Sequence, residues 1–176
     1  MQAPVVETDR LILRGYRLGD FPLYAAMWAD PDVTRHIADG APRPEEDSWK
    51  SFLSASGHWE LLGFGTWAVE ERATGQYVGS VGFAERMRDR GPDLEGAPEL
   101  GYSFVSSAGG KGFATESAKA AVEWARAHFG KMRLIAIVAP GNLASIRVAE
   151  KCGFRERSRG LSAGRLRMFF ETTIGE

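Results

Sequence analysis

Four residues, Gly109-Gly110-Lys111-Gly112, stand between a strand-like apolar run and a helix-like one. Such a turn is suited to holding an anion. Glycines let the backbone approach a ligand closely, and unpaired N–H groups at a helix start point at negative charge. The helix dipole adds a partial positive charge, and Lys111 can add a whole one. The same residues also read as a plain strand-to-helix turn, and the segment alone does not choose between the two. It is not a P-loop, because Val105 and Gly112 stand where that motif needs glycine and Ser or Thr. Gly63-Phe64-Gly65-Thr66-Trp67-Ala68 matches a bare GxGxxA, but a strand pattern follows where the dinucleotide fingerprint needs a helix, so the match reads as chance. His36, His58, His128 and the single cysteine, Cys152, are scattered without metal-ligand spacing, and no metal site is expected. Cys152 shares the packed side of a helix with Ile146 and Ala149 and reads as core rather than nucleophile.

Hydrophobic periodicity supplies the elements that must position these residues. Arg10–Tyr16 reads as a strand, and Asp20 as the N-cap of a helix that stops at Asp30-Pro31. A second helix is expected from Pro44 to about His58, then strands at Thr66–Glu71, Tyr77–Ala84 and Glu99–Val105, with a charged loop at Met87–Pro98. A long helix from Ala114 to Phe129 should bury Ala118, Ala121, Val122, Ala125 and Phe129. Leu134–Ala139 is an unbroken apolar run, as in a strand covered on both faces. Asn142 should cap a last helix that ends at Gly153, before strands near Phe154–Arg159 and Leu166–Ile174. The order β-α-α-β-β-β-α-β-α-β-β is that of a mixed α/β domain.

The 176 residues suit one domain. With 22 basic and 23 acidic residues the net charge is −1, which removes the broad positive field of a dedicated nucleic-acid binder. The longest apolar run is far below the roughly 20 residues of a spanning helix, and the start of the chain has no signal-peptide pattern. A cytoplasmic protein with no membrane or nucleic-acid partner is expected.

Gly110-Lys111-Gly112-Phe113-Ala114-Thr115-Glu116 resembles the acetyl-CoA-binding turn of the GCN5-related N-acetyltransferases, the GNAT superfamily. The likeness continues in Thr8-Asp9-Arg10-Leu11-Ile12-Leu13-Arg14, Tyr77-Val78-Gly79-Ser80-Val81-Gly82-Phe83 and Glu99-Leu100-Gly101-Tyr102-Ser103-Phe104. It ends with Asn142-Leu143-Ala144-Ser145 and Glu150-Lys151-Cys152-Gly153-Phe154, and their joint order is similar to the ribosomal-protein N-terminal acetyltransferase subfamily.

The resemblance implies a single domain over 1–176, with a mixed, mostly antiparallel central sheet flanked by helices. It implies direct acetyl transfer from acetyl-CoA to a primary amine, either a small molecule or a protein N-terminus, in a ternary complex. It leaves room for a homodimer. The backbone of Lys111, Gly112, Ala114 and Thr115 would hold the pyrophosphate, with Gly110 and Phe113 also in the cofactor site, and the strand end at Phe104 and Val105 would pair with the pantetheine arm. A backbone N–H there would polarise the thioester carbonyl. Gly109 replaces the Arg or Gln of many relatives, which removes a side-chain contact only. Ala149 stands where many relatives carry a proton-donating tyrosine. The resemblance implies Ser145 as the acid, because it matches the serine proposed for that role in the N-terminal acetyltransferase subfamily, with Asn142 touching the pantetheine arm. The other reading is that Asn142 only caps the helix, with Ser145 in its first turn. Glu99 is the leading base and Glu85 the second. The basic run Arg147–Arg167 reads as a solvated face, part of which could meet the 3′-phosphate of CoA. Trp28, Trp49, Trp59 and Trp67 read as core, with Trp67 or Trp49 the alternative wall of the acceptor pocket; Thr34–Pro44 and Met87–Pro98 are the expected acceptor loops. The rival reading is a catalytically silent acyl-CoA sensor.

Overall fold

Alternating apolar residues become eight strands in the computed structural model, which describes residues 2–37, 40–86 and 96–175. These are β1 (Val6–Glu7), β2 (Leu11–Arg14), β3 (Thr66–Glu71), β4 (Gln76–Ala84), β5 (Glu99–Phe104), β6 (Met132–Val138), β7 (Arg155–Ser162) and β8 (Arg165–Ile174). The helices are α1 (Phe21–Ala29), α2 (Pro31–Thr34), α3 (Glu45–Leu62), α4 (Phe113–His128) and α5 (Leu143–Lys151). One sheet runs in the order β1-β2-β3-β4-β5-β6-β8-β7. Its neighbours are antiparallel except β5 and β6, which are parallel. No described helix is long and apolar enough to cross a membrane.

Packing follows the sequence periods. Ala118, Ala121, Val122 and Ala125 of α4 are buried, as the helical stripe predicts, whereas Phe129 follows the end of α4 and is half-buried. On β6, Leu134, Ala136 and Val138 join the main core with α4 and α5, while Ile135 packs with Ala97 and Phe169 in a separate cluster. Alternation along a strand sends successive side chains to opposite faces, so β6 is covered on both. Tyr24 and Met27 of α1 meet Phe52 of α3, Ala68 and Tyr77 in a further cluster.

Four local expectations change. Val6–Glu7 forms a short edge strand that pairs with β2. Asp30-Pro31 ends α1 as expected but also starts α2, because Asp30 accepts the Asp32 N–H at 2.8 Å and proline suits a first helical position. Helix α3 continues past His58 to Leu62 and closes on Gly63 at φ 71°, so the GxGxxA match is a helix end followed by a strand.

Asp20, finally, does not cap α1. Its carboxylate accepts from both terminal nitrogens of Arg14, at 2.8 and 2.9 Å, and from the Arg17 N–H at 2.7 Å. Arg14 Nε reaches Glu70 at 2.7 Å. A buried guanidinium is costly unless paired, and that demand outranks a helix cap. Burial pushes the Asp20 carboxyl up, but the Arg14 and Arg17 bonds outweigh it and hold it below the usual aspartate range.

Candidate active site

The glycine turn is built to leave N–H groups free. Gly110 and Gly112 have φ of 76° and 80°, a left-handed backbone that side chains disfavour. Gly112 occupies the N-cap position of α4, so no side chain caps the helix. The first helical bond runs from the Glu116 N–H to the Gly112 carbonyl at 3.1 Å, leaving Phe113, Ala114 and Thr115 with N–H groups ahead of it. The Lys111 N–H is engaged only by a long bond to the Ala108 carbonyl, 3.4 Å. The Lys111 ammonium lies 3.9 Å from Glu71, beside a cavity of about 570 Å³ lined also by Asp9, Arg10, Arg72 and Phe113.

Residues from the start of the chain fasten this turn. Glu116 accepts from Thr8 Oγ1 at 2.6 Å, from the Arg10 N–H at 3.0 Å and from Arg10 Nε at 2.7 Å. Arg10 Nη1 also donates to the Lys111 carbonyl at 2.9 Å. Thr8, Arg10 and Glu116 belong to the motifs quoted above, yet nothing local in the sequence assigns them this clamp. Burial pushes the Glu116 carboxyl up, but the Thr8 and Arg10 bonds outweigh it and hold it below the ordinary glutamate range. The stabilisation is therefore present above the unfolded value, about 4.3, and is lost as pH falls through the lowered one. Glu116→Gln should lower the melting temperature near neutrality by about 2–4 °C, discounted for the exposed Arg10. The gap to wild type should close as pH falls through that lowered value, where the Glu116 carboxyl becomes neutral like the glutamine. A gap that stays constant across a calorimetric pH series would exclude the ionised carboxylate as its source.

Past the turn, the sheet opens. β5 and β6 pair only at Glu99 and Ile135, where the Ile135 N–H donates to the Pro98 carbonyl at 3.1 Å. Beyond that point the two parallel strands part. The Val105 N–H is spent on the Val78 carbonyl at 3.1 Å, so it is not available to a ligand. Backbone groups alternate between the two edges of a strand, which turns those of Phe104 and Tyr102 toward the opening. Of the two residues expected to meet the pantetheine arm through their backbones, Phe104 is the one so directed.

Helix α5 borders this opening. Asn142 caps it by accepting the Ser145 N–H at 3.1 Å. Ser145 is half-buried and is joined to β5 through Tyr102, whose Oη lies 2.9 Å from the Ser145 carbonyl oxygen and 2.8 Å from Oγ. Tyr102 was part of a quoted motif without a role. The signal for it is that Leu100, Tyr102 and Phe104 alternate onto the face that packs with α4 and α5. Glu99 is out of phase with them and points to the other face. It is 8% exposed, and its carboxylate lies 4.0 Å from Arg86 Nε. The two candidate catalytic residues thus belong to opposite faces of the sheet, beside one gap.

Other expectations divide. Glu85 is half-buried past the end of β4, and its carbonyl meets His58 Nε2 at 3.2 Å. Cys152 is buried, and burial pushes its thiol up to about 11, the opposite of an activated nucleophile. Trp67 is fully buried, with its Nε1 donating to the Pro4 carbonyl at 2.8 Å, and is core rather than pocket wall. Trp49 is exposed at the rim of the α1–α3 aromatic cluster, 4.8 Å from Phe21 between ring centres. Within the basic run, Arg157 of the edge strand β7 pairs with Glu171 of β8, and Arg159 pairs with Glu156 of β7. Of the acceptor loops, residues 38–39 and 87–95 lie outside the described residues.

Comparison with known proteins agrees with this geometry. A family model described as an acetyltransferase (GNAT) domain matches residues 10–155. The chain is 31% identical to the Bacillus subtilis protein YkkB over 83% of this chain and 82% of that one. A GNAT-family acetyltransferase structure from Bordetella pertussis superposes with a TM-score of 0.83 at 28% identity, covering 96% of this chain and 98% of its own. RimL, a ribosomal L7/L12 α-N-protein acetyltransferase solved with coenzyme A, shares the fold at a TM-score of 0.76 and 15% identity, covering 97% of this chain and 98% of its own. The matched region takes in the turn, the parted strands and α5 together, and the chain therefore belongs to the GNAT acetyltransferase family.

Proposed function

We propose that this protein, as one N-acetyltransferase domain, transfers an acetyl group directly from acetyl-CoA to a primary amine. The observation that carries the reading is the parting of β5 and β6 just past Glu99, with the uncapped turn at the far end of β5. In that reading acetyl-CoA lies on the α4–α5 face. Its pyrophosphate takes the N–H groups of Gly112, Phe113, Ala114 and Thr115, where the helix dipole also favours negative charge. Gly110 and Lys111 shape the turn, and the pantetheine arm runs along β5 at Phe104 and past Asn142. The thioester then reaches the gap. The amine enters from the opposite face, where Glu99, directly or through water, removes the proton an ammonium must lose before it can attack. Ser145, on the cofactor side, protonates the departing sulfur. A helix N-terminus needs no protein-wide basic charge to bind a pyrophosphate, in keeping with a net charge of −1.

Acetyl-CoA at about 100 times its dissociation constant should raise stability by about 2.7 kcal/mol and the melting temperature by about 5–10 °C. ATP, which lacks the pantetheine arm, should compete poorly. No shift at concentrations near millimolar would remove the cofactor from the reading. Thiol release from acetyl-CoA over free-N-terminal peptides and small amines then tests the transfer itself. Binding without release to any of them would favour a silent sensor.

A further inference from the structure

We infer that Tyr102 is a positioning residue that serves as the proton reservoir behind Ser145, passing its phenolic proton through the serine hydroxyl to the departing sulfur. The inference rests on the reading of Ser145 as the acid. Tyr102 Oη carries one proton and has two acceptors within reach, the Ser145 carbonyl oxygen at 2.9 Å and Oγ at 2.8 Å. If the proton goes to the carbonyl, the serine hydroxyl donates back to Oη and has nothing to offer a ligand. If it goes to Oγ, the serine proton is free to turn toward the gap between β5 and β6. Only the second arrangement makes Ser145 a donor, and in it Tyr102 stands directly behind the proton being given.

The chemistry favours the pair over the serine alone. An alkyl alcohol is a far weaker acid than a phenol, so Ser145 acting by itself would be left as an unfavourable alkoxide. With Tyr102 behind it, the C–S bond breaks with its electron pair on sulfur, sulfur takes the Ser145 proton, and Oγ takes the Tyr102 proton. The phenolate left behind is reprotonated from water, balanced by the proton that the attacking nitrogen released. Burial pushes the Tyr102 phenol up to about 12, so it holds its proton at neutral pH. Cys152, which acts electrostatically on Tyr102, and Lys119 of α4, which acts on Cys152, are the titratable groups near the pair among the described residues. Neither is altered by substituting Tyr102. Asn142 fixes the remaining polar group of Ser145 by accepting its N–H.

Hydroxylamine is a suitable acceptor probe once its uncatalysed reaction with the thioester is subtracted, since its nitrogen is neutral near pH 7 and needs no proton removed before it attacks. Tyr102→Phe should lower kcat for thiol release about 10-fold at the acid end of the range, near pH 6.5, with the KM for acetyl-CoA held within about two-fold. The deficit should fade toward pH 9, where a thiolate leaves unaided. Tyr102→Phe added to Ser145→Ala should cost nothing more, because the reservoir has one outlet. In wild type, a mixed-isotope water series should show two protons moving in the step, a measurement that does not depend on any variant folding. A folded Tyr102→Phe protein with wild-type kcat at the acid end, or with a deficit that ignores pH, or a single-proton isotope series, would overturn the relay alone. A wild type that binds CoA by calorimetry yet releases no thiol to hydroxylamine or any amine would overturn the acetyl-transfer reading, and the relay with it.

Discussion

Gly112→Asp should cost at least about 10²-fold in CoA affinity while leaving the fold in place. Two effects act on the ligand. The new carboxylate stands at the N-cap of α4, where it accepts the same N–H groups that a pyrophosphate would need. It also places a negative charge beside the phosphates. Losing one or two hydrogen bonds to a charged group, at about 1.5–3 kcal/mol each, already accounts for that factor. Two effects on the fold nearly cancel. A left-handed φ of 80° costs an L-residue about 1–2 kcal/mol, less for aspartate, whereas an aspartate N-cap returns about 1. Space is not the obstacle, because a Cβ here would meet only Arg10 Nη2, at 3.5 Å. Circular dichroism melting should therefore move little while calorimetric CoA binding disappears. A folded variant with wild-type affinity would take the turn out of the site.

Ser145→Ala should lower kcat about 10²-fold at pH 6.5 while the KM for acetyl-CoA changes far less. Loss of an interaction made only as the sulfur departs appears in kcat; loss of a ground-state contact to the pantetheine arm appears in KM. The helix should survive, because its cap uses the Ser145 backbone N–H rather than the hydroxyl. Truncation does strand Tyr102, which keeps the Ser145 carbonyl as its one acceptor. The effect should shrink as pH rises toward the thiol range, about 8.5. A free-thiol assay across roughly pH 6.5–9 reads both parameters, and an unchanged kcat at the acid end would exclude Ser145 as the acid.

Much of the scaffold is legible because its causes are local. The buried stripe of α4 follows from a 3.6-residue period, the Asn142 cap from a side chain three residues from its N–H partner, and the left-handed helix end at Gly153 from the missing Cβ. Local signals misled where a distant partner outbid them. Asp20 looks like a cap, but the buried Arg14 claims its carboxylate.

The site itself was only half visible. The glycine turn, Ser145 and Glu99 could be named from the residues and their resemblance, but their arrangement could not. That β5 and β6 part after one pair, that Glu99 faces away from Ser145, and that Val105 rather than Phe104 spends its N–H on β4 are matters of register between strands. Tyr102 meets Ser145 across 43 residues, and Thr8 meets Glu116 across 108. The sequence by itself determined most of the strands and helices and marked the glycine turn as a candidate anion site, because those depend on neighbours a few residues apart. The tertiary structure alone decided that Tyr102 pairs with Ser145 and Glu116 with Thr8 and Arg10, and which face of the sheet each candidate lies on, because a buried polar group takes whatever partner the whole fold brings within hydrogen-bond reach.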